Sequence, residues 1–329
     1  MKYRRRLGPN GPELATLGYG AMSIGNAYGD VDDAGTDKLL SALLDRGVEH
    51  IDTSNVYGKG LSESRIGAWI AKNGKKFHIA TKGGITQRDG KRAFDNSLEH
   101  FTQELDGSLK RLNVEAVDLY YVHRREAGRS AEELGETLKA ILASGKAKAV
   151  GLSEIAPTTL RAVNAVCPIA AVQSEYSLQT RSPELGLVQT CTELGVALVA
   201  FSPVGRGMLT DHPHSPEMIR DNFFLGHTPR FKPGTYDRNL AALAPLRAYA
   251  ADIGMSLAGL ATAWTLERGP TLFTIPGTRT VEHLDELVAG ARRGLSADEM
   301  AEIERLAPVG WCEGDRYSDT QWIGPERYC

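Results

Sequence analysis

Short apolar runs rich in β-branched residues alternate along this chain with longer segments of helical periodicity, and that alternation is the mark of parallel strand–helix units. Eight strand runs stand out, at Leu17–Met22, His50–Asp52, His78–Thr81, Val117–Val122, Ala149–Leu152, Ala171–Gln173, Ala197–Phe201 and Leu272–Ile275. The pattern predicts helices over Asp33–Arg46, Ser62–Lys72, Leu98–Leu112, Ala131–Ser144, Thr158–Val166, Glu184–Leu194, Leu240–Ile253 and Val281–Ala291. Runs such as Ala197–Phe201 are apolar without alternation, as strands are when both faces are buried. Eight units predict a closed (β/α)8 TIM barrel, a single domain over residues 1–329. A doubly wound open sheet would carry a G-x-G-x-x-G turn after its first strand, and none stands there.

Two segments break the rhythm. Residues 206–236 are rich in proline, glycine and histidine with no long apolar run, and read as a long loop over the face that holds the strand C-termini. The tail, 308–329, is aromatic and polar, with Trp311, Tyr317, Trp322 and Tyr328, and is expected to pack on the barrel.

Composition excludes several function classes. A charged fraction of 24% and a formal net charge of −3 leave no basic excess for nucleic acid. No apolar run is long enough to span a membrane. The cationic start is interrupted at once by Pro9, Gly11 and Pro12, so export is not expected. Cys167, Cys191, Cys312 and Cys329 lie far apart without C-x-x-C spacing, which suggests neither a metal site nor a disulfide framework and fits a reducing cytoplasm.

In a barrel of this kind, polar residues at strand C-termini point into the active site. Asp52 ends the second strand run, Lys82 follows the third and His123 the fourth, while Tyr57 lies in the loop before a helix. Taken singly, Asp52 reads as a turn or helix cap, Tyr57 as a packed loop aromatic and His123 as a satisfied half-buried histidine. Lys82 is harder to dismiss, because an ammonium ending an apolar strand needs an anion beside it. Asp52, one strand over, supplies that anion. The paired Lys82 charge would then stabilise a tyrosinate on Tyr57, so that the phenol can give its proton to a carbonyl oxygen while hydride reaches the carbon. His123 would polarise and orient the same oxygen.

These segments, in this order, resemble the aldo-keto reductase superfamily. The run around Asp52 and Tyr57, Thr81-Lys82, and Tyr120-Tyr121-Val122-His123-Arg124 match that family's Asp, Tyr, Lys and His tetrad. The likeness continues through Gly151–Glu154, Gln173–Tyr176, Phe201–Gly207 and Ile275–Arg279, and covers roughly residues 10 to 306. The resemblance implies a soluble NADP(H)-dependent enzyme acting on a small carbonyl or alcohol substrate. It further implies that Ser153 and Gln173 hold the nicotinamide carboxamide and that Phe201 stacks on the ring. Ser202, Pro203, Val204, Gly205 and Arg206 would follow the pyrophosphate. Arg124 after His123 and the Gln173–Tyr176 run look most like a bacterial branch with short loops.

Gly277, Thr278 and Arg279 lead into a helix, where backbone N–H groups, a hydroxyl and a guanidinium would receive a 2′-phosphate; a plain turn with a solvated Arg279 is the alternative. The chain departs from many relatives at His283, where they have arginine, at Leu287 after Glu286, where they have asparagine, and at Glu154, beside Ser153. A cofactor-sensing binding subunit and a barrel isomerase with Lys82 as Schiff base remain competing readings. Tyr28, Phe94, Phe224, Trp311 and Trp322 are candidate walls for an apolar or aromatic substrate, each of which could equally be packing.

Overall fold

In a computed structural model describing residues 1–328, eight parallel strands form the central sheet. They are Tyr19–Gly20, His50–Asp52, His78–Gly83, Leu119–Val122, Val150–Ser153, Ala171–Glu175, Ala197–Phe201 and Leu272–Thr274, and each pairs with its neighbour in chain order. The ring closes between first and last. Leu17 bridges Thr274, Gly18 N donates to Thr274 O at 2.8 Å, and Thr274 N donates to Thr16 O at 2.9 Å. The first strand is shorter than Leu17–Met22 because the chain turns after Gly20 into a tight turn at Ser23–Gly25.

The period of two explains the unbroken apolar runs. Along the seventh strand, Ala197 and Val199 join an interior cluster with Leu119, Tyr121, Ala171 and Phe273, while Leu198 and Ala200 join the layer beneath the helices. Both faces are therefore dry. An N-terminal hairpin, Arg4–Arg6 with Glu13–Ala15, brings Leu7 and Leu14 into that interior cluster and so plugs one end of the barrel.

Helix limits follow local chemistry. Asp32 accepts from Gly35 N at the start of Asp33–Asp45, and Ser97 accepts from His100 N at the start of Leu98–Leu112. Ser130 and Glu133 form a reciprocal capping box that opens Ala131–Ala143. Leu61–Asn73, Pro157–Val166 and Val281–Arg293 lie within two residues of their predicted bounds. The helix expected over Glu184–Leu194 begins only at Leu187, because Gly186 adopts a left-handed backbone with φ 124° after a separate turn at Ser182–Glu184.

Near the C-terminus the helix pattern differs from expectation. Thr235–Asp252 replaces the predicted Leu240–Ile253, and a second helix, Leu257–Glu267, precedes the last strand. Every residue from Leu257 to Leu266 is buried, so no polar face marks its period. It packs against Val281–Arg293 so closely that a Cβ on Gly290 would come within 2.1 Å of Gly259 O. Ala297–Leu306, opened by a Ser296/Glu299 capping box, was likewise absent from the predicted helices.

Residues 206–236 hold short turns and the helix Pro216–Asp221. The segment is tied across the mouth of the barrel, since Asn222 donates to Ala27 O at 2.9 Å and Gln321 of the tail donates to Phe224 O at 3.2 Å. No helix among the described residues is long and apolar enough to cross a membrane.

Candidate active site

The barrel brings the four strand-end candidates together. Lys82 is fully buried and forms an ion pair with Asp52, while its Nζ also donates to Thr53 O at 2.9 Å and lies 3.2 Å from the Tyr57 hydroxyl. The second Asp52 oxygen accepts from Gln173 Nε2 at 2.7 Å. Burial opposes the Lys82 charge, but Asp52 and the Tyr57 oxygen outweigh it and raise its pKa above the ordinary lysine value. The cation is therefore permanent at neutral pH.

Tyr57 reaches this position from a tight turn, Tyr57–Gly60, in which Gly58 has φ 59°. A Cβ at Gly58 would approach Gly25 O to 2.7 Å, so glycine is required by space as well as by backbone conformation. The Tyr57 and His123 rings meet edge to face with centroids 6.0 Å apart. His123 Nδ1 lies 3.1 Å from Ser54 Oγ. Burial, then the charges of Arg124, Lys82 and Arg92, hold the imidazole well below the ordinary histidine pKa, so the ring is neutral at neutral pH.

A cavity of about 1100 Å³ opens above these groups and continues across the strand ends. Asp52, Tyr57, His123, Ser153, Gln173, Phe201, Ser202, Val204 and Arg206 line it, as do Gly277, Thr278, Arg279, His283 and Glu286 at its far end. Lys82, Glu154, Pro203 and Gly205 are not on its wall. The Glu154 carboxylate points instead to Arg316 Nη2 at 2.5 Å, with Ser174 Oγ at 3.1 Å and Glu175 N at 2.8 Å. Arg206 is on the wall but committed: Nη2 donates to Glu175 Oε2 at 2.5 Å and Nη1 to Arg316 O at 2.6 Å. Its guanidinium lies over the rings of Phe224 and Tyr317.

The far end is fastened to the first strand, because Tyr19 OH and Ser23 Oγ both donate to Thr278 O at 2.8 Å. Arg279 and His283 are exposed, and Arg279 has no carboxylate partner among the described residues. Thr280 caps the helix Val281–Arg293 by accepting from His283 N at 3.2 Å.

Against the known proteins, residues 16–308 match the aldo/keto reductase family model. The chain belongs to the aldo/keto reductase family. A probable aldo-keto reductase of Glycine max is 35% identical over 95% of this chain and 91% of its own length. An NADP(+) aldo-keto reductase of Schizosaccharomyces pombe is 32% identical over 92% of both. Among solved structures, a glycerol dehydrogenase of Gluconobacter oxydans superposes with a TM-score of 0.80 at 25% identity, covering 92% of this chain and 94% of that one. As an aldo-keto reductase, the protein is an oxidoreductase of carbonyl and alcohol groups.

The fold gives further residues a place in this reductase site beside the tetrad and the cofactor candidates. Ser54 sits on His123, and it lies within the run that contains Asp52 and Tyr57. Arg124 donates from Nη1 to His123 O at 2.6 Å and to Ser153 Oγ at 3.2 Å. A hairpin, Ile85–Arg88 with Lys91–Phe94, contributes Ile85, Thr86, Gln87 and Arg92 to the wall. Of the aromatic candidates, Tyr28 and Phe224 line the cavity. Trp311 is turned to Leu178 O at 2.8 Å and Trp322 to Asp315 at 2.8 Å, which makes both of them packing residues.

Proposed function

We propose that this aldo-keto reductase reduces aldehydes or ketones reversibly, with NADPH as hydride source and Tyr57 as proton donor. The observation that carries the reading is the Lys82 ammonium, pinned by Asp52 and Thr53 O and placed 3.2 Å from the Tyr57 hydroxyl. As the phenol releases its proton to the substrate oxygen, the positive charge beside it stabilises the phenolate that forms. His123 stays neutral, and with Nδ1 held 3.1 Å from the Ser54 hydroxyl, Nε2 is the ring nitrogen left to meet a carbonyl oxygen. In the reverse direction the phenolate takes the alcohol proton.

NADPH supplies the hydride when bound. The residues present fit it: the cavity runs from the tetrad to the exposed, unpaired Arg279, with Ser153, Gln173 and Phe201 near the tetrad and Ser202 and Val204 between. Arg279, Thr278 and the capped helix start beyond Gly277 offer the donors a 2′-phosphate needs. Arg206, neutralised by Glu175, would hold its part of the wall by shape more than by charge. Glu154 would act from behind Ser153 by fixing the strand end.

Arg124 following His123, with the Gln173–Tyr176 run, supports the bacterial short-loop branch, and the free Cys167 and Cys191 thiols are in keeping with a cytoplasmic setting. The test is NADPH consumption by the purified protein across a panel of aldehydes and ketones. Turnover with none of them above the background of the Tyr57→Phe protein would overturn the reading.

A further inference from the structure

The charges around the reacting end of the cavity do not balance. Asp52 neutralises Lys82, and Glu154 and Glu175 balance Arg316 and the wall residue Arg206. Two arginines on the wall are left over, Arg124 and Arg92, and neither has a carboxylate partner among the described residues. Arg124 is only 8% exposed. Arg124 feels the Glu154 charge, but Glu154 is paired with Arg316, and a buried guanidinium with no ion pair of its own beside the active site points to an anion arriving from outside.

The geometry of Arg124 narrows the ligand. Its Nη1 is occupied by His123 O and Ser153 Oγ, which fixes the guanidinium plane. Nε is buried without any hydrogen-bond partner, and among the described residues Nη2 makes no hydrogen bond. Nη2 is therefore the donor left to meet an oxygen of an incoming carboxylate. Arg92 stands on the hairpin at the exposed rim, with its guanidinium 5.5 Å from the Phe94 ring, and Lys59 adds a further cation to the mouth.

We propose that the substrate is a carbonyl compound bearing a carboxylate, an aldehyde acid or keto acid, whose carboxylate docks on Arg124 and is drawn in by Arg92 while its carbonyl meets Tyr57 and His123. The inference rests on the reductase reading and assigns its substrate class. The fixed Arg124 guanidinium sets orientation, and the exposed Arg92 sets the rate of capture, which salt screens.

Matched substrates test it. 4-Carboxybenzaldehyde and its neutral ester, methyl 4-formylbenzoate, present the same aldehyde with and without the charge. The expected result is a kcat/KM for the acid about tenfold or more above that for the ester, since a charge-assisted contact contributes about one to two powers of ten. Arg92→Ala, at an exposed position, should lower the acid's kcat/KM several-fold more than the ester's and should reduce the acid's salt dependence. Arg124→Gln should remove most of the remaining preference. Equal kcat/KM for acid and ester in the wild-type protein, or an acid preference surviving in the double variant, would overturn the assignment.

A binding arm keeps the two readings apart. If neither aldehyde is reduced, tryptophan-fluorescence titration of both still decides: tighter acid binding lost in Arg92→Ala supports the anion site while the reductase reading fails. Acid binding no tighter than the ester's removes the anion site as well.

Discussion

Arg316, in the C-terminal tail, donates to Glu154, at the end of the fifth barrel strand, at 2.5 Å, with the two side chains 8% and 1% exposed. Burial would raise the Glu154 pKa, but the Arg316 charge wins and holds it below the ordinary carboxylate range. The pair is thus ionised and dry, and it clamps the tail over the same cavity wall that Tyr317 and Gln321 complete. Glu326 adds a second clamp, accepting from Arg125 at 2.8 Å and from Ala156 N at 2.8 Å.

Arg316→Met should destabilise the protein by about 3–5 kcal/mol, because it leaves the Glu154 charge buried without its counter-ion. Adding Glu154→Gln should recover part of the loss. Urea unfolding of the single and double variants measures both, and an Arg316→Met midpoint equal to wild type would show that the clamp contributes no stability.

Tyr57→Phe removes the proposed acid and keeps the ring packed edge-on against His123. Turnover should fall by about 10²–10⁴-fold. NADPH affinity should stay close to wild type. Single-turnover kinetics with a good substrate check the first expectation, and fluorescence titration of NADPH checks the second.

Arg279→Ala should weaken NADPH binding by about one to two powers of ten and leave NADH binding nearly unchanged, because only NADPH carries the 2′-phosphate. Competitive titrations with both cofactors read the difference. Parallel losses for the two would place Arg279 against the adenine ring or the pyrophosphate instead.

Folding stability should fall as pH drops from 7.5 to 5.5. His50 and His123 are held neutral by burial, and His78, whose Nδ1 lies 3.0 Å from His50 Nδ1, is lowered to about 3, first by burial and then by His50. Below the unfolded histidine pKa of about 6.5 the unfolded chain binds more protons than the folded one, so protonation favours unfolding. The stabilisation is complete above that value and is lost progressively below it. Urea midpoints measured across this range should decline, and a flat profile would contradict the buried-neutral assignment.

The tetrad was legible because its signals are local. A lysine at the end of an apolar strand, an aspartate one strand before it and a tyrosine in the following loop can be placed by strand periodicity alone, and Lys82, Asp52 and Tyr57 meet as that placement requires. Helix Leu257–Glu267 was illegible for the opposite reason: with all sides from Leu257 to Leu266 covered, hydrophobicity no longer repeats at 3.6 residues. Ala297–Leu306 did carry a readable signal in Ser296 and Glu299, the spacing of a capping box.

By itself, the sequence determined the number of strand–helix units, the barrel they close into and the family, because backbone propensity, side-chain period and strand-end chemistry act over a few residues at a time. Which charges are free was decided only by the tertiary structure. Arg206 is five residues beyond the seventh strand and reads as a phosphate ligand, yet the fold turns it onto Glu175. Glu154 reads as a cofactor neighbour, yet its partner is Arg316, 162 positions away. Arg124 follows His123 like any surface arginine, yet closing the barrel and folding the tail over it leave its Nε buried without a partner. Coulomb energy depends on distance through space and on exclusion of water, and neither exists until the ring has closed.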